Sequence, residues 1–103
     1  MAIVKGVKKV KPTVNVEVNG PTFWVGGHLT PGLADVPITI EVIDEKGTNW
    51  LFYTVTTSGG NFGFSTATEK LEFPKGKYVI KVFVTAGGNA AETEAEPKVV
   101  EVK

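Results

Sequence analysis

The chain of 103 residues contains no cysteine and no arginine, and only one histidine and one methionine. Without cysteine there is no disulfide framework, no thiolate nucleophile and no zinc site built on sulfur. Without arginine the planar fork that grips phosphates and base edges is missing. The eleven basic residues, all lysines, are cancelled by eleven acidic ones. Nothing in the charge balance therefore draws the domain to nucleic acid or to an anionic membrane surface. No apolar run reaches the length of a membrane span, so direct insertion is not expected. Helical periodicity is absent too, and no segment is left over for crossover helices, which excludes a parallel α/β fold.

What the chain does have is short alternating runs separated by Gly, Pro and Asn. The apolar share of 42% suits one soluble domain that buries roughly two thirds of its unfolded surface. Thr13 to Val18 alternates with its three valines on one face, and Asn19-Gly20-Pro21 ends it. Phe23, Val25, Gly27 and Leu29 form the next inward row, which turns Trp24, Gly26 and His28 outward. Val36, Ile38, Ile40 and Val42 follow, and Asp44-Glu45-Lys46-Gly47 supplies a turn.

Trp50 to Thr57 reads as a longer strand. With Leu51, Tyr53 and Val55 facing inward, Trp50, Phe52 and Thr54 face outward. Phe62 and Phe64 flank Gly63 on a short strand. Tyr78, Ile80, Val82 and Val84 make the strongest central strand and leave Phe83 outward, and Val100 and Val102 close the fold. About seven strands at this spacing predict an all-β, immunoglobulin-like antiparallel sandwich, with strands pairing in sequence order. Residues 13–103 form that domain. Residues 1–12 read as a linker or a short first strand, because Pro12 interrupts the pattern.

A family resemblance rests on a series of turns and inward positions. These are Gly26-Gly27-x-Leu29-Thr30-Pro31, Val36-Pro37-Ile38-Thr39-Ile40, Asp44-x-x-Gly47, Thr56-Thr57-x-x-Gly60-x-Phe62-x-Phe64 and Pro74-x-Gly76-x-Tyr78. Together they resemble the immunoglobulin-like repeats of large bacterial and archaeal cell-surface proteins, over about four fifths of the chain. Carboxypeptidase regulatory (transthyretin-like) modules and the B-type repeats of Gram-positive adhesins share the same grammar. The resemblance implies a spacer, stalk or interaction domain without catalysis, outside the cell or on its surface, joined to neighbouring domains of a parent protein.

Chemistry finds little purchase. His28 stands alone, without a carboxylate at ligand spacing. Glu92, Glu94 and Glu96 alternate in a polar stretch that lacks the Asp-x-Asp-x-Asp-Gly pattern of calcium loops. Gly59-Gly60 and Gly87-Gly88 read as turns, since neither opens a helix nor precedes a Gly-Lys-Ser/Thr. No serine has a Gly-x-Ser-x-Gly setting. No enzyme activity, metal or cofactor is expected. The isopeptide cross-link of some adhesin repeats is not expected either, because Lys98 to Lys103 offers no Asn or Asp.

Four aromatics on expected outward positions, Trp24, Trp50, Phe52 and Phe83, are the candidate binding residues. A flat outward aromatic can stack on a sugar ring or bury itself in a protein partner. The favoured reading is a structural spacer module. Its alternatives are an accessory module that presents these aromatics to carbohydrate or protein, and a subunit that assembles by β-strand addition through Ala2 to Val10.

Overall fold

The structure is a computed structural model and describes residues 9–85 and 92–103. The expectations for Ala2 to Val10 and for the Gly87-Gly88 turn fall mostly or wholly outside these residues. Among the described residues eight strands run in order: β1 (Lys11–Asn19), β2 (Thr22–Thr30), β3 (Pro37–Asp44), β4 (Asn49–Val55), β5 (Asn61–Ser65), β6 (Gly76–Val84), β7 (Thr93–Glu94) and β8 (Lys98–Val102). A 3-10 turn over Thr66–Glu69 follows β5.

They build two antiparallel sheets. The small one has the order β1-β2-β5; the large one runs β4-β3-β6, with β7 and β8 both paired to β6 on its far side. The result is an immunoglobulin-like all-β sandwich. Its fourth strand lies beside β3 (Tyr53 opposite Thr39), whereas constant-type immunoglobulin domains place that strand on the other sheet. Pairing does not follow sequence order: β2 and β3 lie in different sheets, and β5 crosses back to pair with β2.

Alternation explains which side chains meet inside. Phe23, Val25 and Leu29 of β2 face Ile38, Ile40 and Val42 of β3 and Tyr78, Ile80, Val82 and Val84 of β6, all buried. Phe73, from the segment before β6, closes one end of this core. Its ring lies 4.8 Å from Phe23, 5.1 Å from Trp50 and 5.5 Å from Tyr78. The Tyr78 hydroxyl donates to the Pro74 carbonyl at 2.6 Å, a tyrosine corner at the entry to β6.

The turns have local causes. Asp44 Oδ1 accepts from the Lys46 and Thr48 amides at 2.9 and 2.8 Å, and Gly47 supplies the positive φ of 88° that closes the β3–β4 hairpin. Two buried hydroxyls tie the sheets to their connections. Thr56 Oγ1 accepts from the Val36 amide (2.9 Å) and donates to the Leu33 carbonyl (2.6 Å). Thr66 Oγ1 accepts from the Phe23 amide at 2.9 Å.

Candidate interaction surface

The four candidate aromatics do not converge. Trp24 lies on the outer face of the small sheet and Phe83 on the outer face of the large one, on opposite sides of the sandwich. Trp50 and Phe52 point the other way from expectation, into the protein. Phe52 is buried and packs on Phe64 at 4.9 Å, and Trp50 stands edge-on to Phe73. The correction has a physical reason. Both rows of β4 are apolar, so alternation alone does not choose between them. The choice is made across the core, where Phe64 and Phe73 take the flat rings of Phe52 and Trp50.

Leu51, Tyr53 and Val55, expected inside, are consequently on the surface. They are 49%, 68% and 54% exposed. Their neighbours on the same face follow from the strand register. Tyr53, Thr39, Phe83 and Glu94 form one row, and Leu51, Glu41 and Lys81 a second. Ile43 and Val79 lead in a third row to Val99, which is 69% exposed on β8. The outer face of the large sheet thus carries apolar side chains on every strand row, interspersed with Thr39, Glu94, Asn49 and the Glu41–Lys81 pair. The sequence signal for it was present in β4 itself, a strand without the polar row that a one-sided strand carries.

Trp24 occupies a different setting. Its ring lies over Gly26, where a Cβ would coincide with it, and beside Gly63, whose added Cβ would stand 3.6 Å away. Gly26 and Gly63 are direct cross-strand partners, so two strands offer bare backbone beneath one face of the indole. The other face is open, at 36% exposure for the residue. Asn15 lies opposite Gly26 and Glu17 opposite Trp24, and His28 Nδ1 contacts Asn61 Oδ1 at 3.1 Å one row further on. His28 is outward, as alternation predicts.

Tyr78 lines a cavity of ≈ 300 Å³ together with Asp44, Glu45 and Lys75. Burial, and then the negative charges of Asp44 and Glu45, push its hydroxyl above the ordinary value of 10.0. The hydroxyl's partner is a carbonyl of its own chain, so the group supports the corner. Among the described residues no group of three or more His, Cys, Asp or Glu could hold a metal ion.

No family model matches the chain, and no curated protein does. Solved structures resemble the chain in fold, among them the following two. The chicken interferon gamma receptor alpha chain aligns with a TM-score of 0.68 at 9% identity, over 89% of this chain and 50% of the receptor chain. A family 76 glycoside hydrolase from a bovine Bacteroides thetaiotaomicron strain aligns with a TM-score of 0.55 at 18% identity, over 88% of this chain and 20% of the hydrolase. At these identities the likeness concerns the fold. It places the chain among immunoglobulin-like sandwich domains, and the chain spans about half the length of the receptor and a fifth of the hydrolase.

Proposed function

We propose that the chain is a non-catalytic immunoglobulin-like module of a larger secreted or cell-surface protein, akin to bacterial and archaeal surface repeats. In this reading it packs against a neighbouring domain through the outer face of the large sheet. One observation carries the reading: Leu51, Tyr53 and Val55 stand exposed side by side along β4 on one sheet face, with Phe83 in the row of Tyr53 and Val99 exposed on the far strand of the same face. Three large apolar side chains exposed in succession on one strand make the kind of patch that marks a contact site. Covering it would contribute about 25 cal/mol for each Å² removed from water. A stalk surrounded by water gains nothing from such a face, whereas a module seated on its neighbour gains stiffness.

The test compares the isolated domain with a fragment of the parent protein that includes the flanking domains. Leu51→Thr, Tyr53→Thr and Val99→Thr together should leave the isolated domain close to wild type, each costing about 0.5 kcal/mol or less. The same changes should lower the melting temperature of the long fragment by several degrees. Equal melting of wild-type and substituted long fragments would sink the proposal.

A second reading is favoured by the Trp24 platform. An indole with one face on glycine backbone and the other open, framed by Asn15, Glu17 and the His28–Asn61 pair, suits a flat pyranose ring with hydroxyls at its rim. Titration with cellohexaose should quench or shift tryptophan fluorescence in the wild type and leave Trp24→Phe silent. A flat wild-type titration removes this reading.

A further inference from the structure

The sheet edges differ in how they are guarded. Exposed edges invite pairing with another chain, and proteins blunt them with Lys, Pro, charge or short length. At one edge of the small sheet, β1 carries Lys11, Pro12 and Glu17; at the other, β5 has five residues. The far side of the large sheet is divided between the two residues of β7 and the charged β8, with Pro97 between them. The remaining edge, β4, has seven residues, NWLFYTV, without a charge or a proline.

No described strand pairs with its outer side, and the backbone groups that face that side can be identified from the bonds at its ends. The Thr56 amide donates to the Val36 carbonyl and the Asp44 amide to the Thr48 carbonyl, each at 3.0 Å. Between these ends, Trp50, Phe52 and Thr54 lie opposite Val42, Ile40 and Ile38, and period-two pairing makes them the row bonded to β3. Pro37, opposite Val55, confirms the phase, because its carbonyl accepts from Thr85 on the β6 side. The amides and carbonyls of Asn49, Leu51, Tyr53 and Val55 therefore point to the open edge. Beneath that edge a cleft of ≈ 460 Å³ opens between the sheets, lined by Leu51, Phe52, Tyr53, Phe64, Glu69 and Leu71.

We propose that β4 is a self-association edge, which pairs antiparallel with β4 of a second copy about a twofold axis. About a twofold, residues of β4 face other residues of the same strand, and β4 brings no charge to that contact. Its free row is self-complementary, each amide meeting a carbonyl of the same row in the partner. The pairing joins Leu51, Tyr53 and Val55 of both copies into one apolar strip and brings the two clefts together beneath it. The inference rests on the edge and does not depend on what covers the rest of the outer face.

The experiment is sedimentation velocity on the 103-residue chain between about 1 μM and about 1 mM. Expected is a concentration-dependent monomer–dimer equilibrium. Leu51→Lys with Tyr53→Lys, both outward and compatible with an unchanged circular dichroism spectrum and melting point, should weaken the dimer at least about tenfold. Val99→Lys, on the same face but at the far edge, should leave it intact. A monomer throughout the range overturns the proposal, as does a dimer that persists in the double-lysine variant. A dimer that Val99→Lys dissociates as strongly is a face-to-face stack; it overturns edge pairing and leaves the outer-face reading standing.

Discussion

The ring of Phe52 lies 4.9 Å from that of Phe64, tilted by 32°, in the gap between the large sheet and the small one. This contact sets the orientation of β4 and with it the surface of the molecule. If Phe52 faces in, Leu51, Tyr53 and Val55 must face out, because successive side chains alternate. Phe52→Ala should cost about 3 kcal/mol or more, the range for a buried aromatic, and Tyr53→Ala about 0.5 kcal/mol or less. Urea denaturation of the two variants checks the assignment, and similar losses for both would contradict it.

Gly26 and Gly27 are neighbours on β2 with opposite tolerances. A Cβ at Gly26 would meet the far end of the Trp24 side chain, which can swing away; one at Gly27 would meet the Thr13 carbonyl, which is backbone paired across the strand. Gly26→Ala should remain folded, with a loss of about 1–3 kcal/mol and a red-shifted Trp24 emission. Gly27→Ala should fall well below that stability or fail to fold. Fluorescence spectra with thermal melts on both variants test the difference.

Thr56 is a buried hydroxyl with two backbone partners, the Val36 amide and the Leu33 carbonyl. Thr56→Val keeps the shape and removes both bonds, leaving a buried donor and an acceptor unpaired. The expected cost is about 2 kcal/mol or more, since each orphaned group costs about 1–3 kcal/mol. Thr57→Val, at an exposed neighbour, is the control and should stay near wild type in a denaturant melt.

Tyr78 links stability to alkaline pH. Its proton is held more tightly in the folded state than in the unfolded one, through burial and the charges of Asp44 and Glu45. Above the ordinary value of 10.0 the unfolded chain loses that proton first, so this contribution is complete below pH 10 and is lost as pH rises towards the folded value. Tyr78→Phe should lower stability by about 1 kcal/mol at neutral pH, through loss of the bond to Pro74. It should also flatten the decline above pH 10 in melts taken across the alkaline range. An unchanged alkaline slope would count against the linkage.

Much of this molecule was legible in the order of its residues. Asp44 to Gly47 specifies its hairpin locally, and the Gly26-to-Pro31 and Pro74-to-Tyr78 motifs mark turns and inward positions that the fold keeps. β2, β3 and β6 each have one apolar row that dominates, and alternation alone turned Phe23, Ile40 and Ile80 inward and Trp24 and Phe83 outward. Local chemistry and period-two patterning are properties of short segments, so a sequence carries them whole. β4 was different. With apolar residues in both rows it had no preferred face of its own, and its orientation came from Phe64 and Phe73, supplied by later segments of the chain. The exposed strip of Leu51, Tyr53 and Val55, the unguarded edge and the seat of Trp24 on two glycines are consequences of pairing between distant strands. Only the tertiary structure decided them, because burial is a property of the assembled pair of sheets and of no single strand.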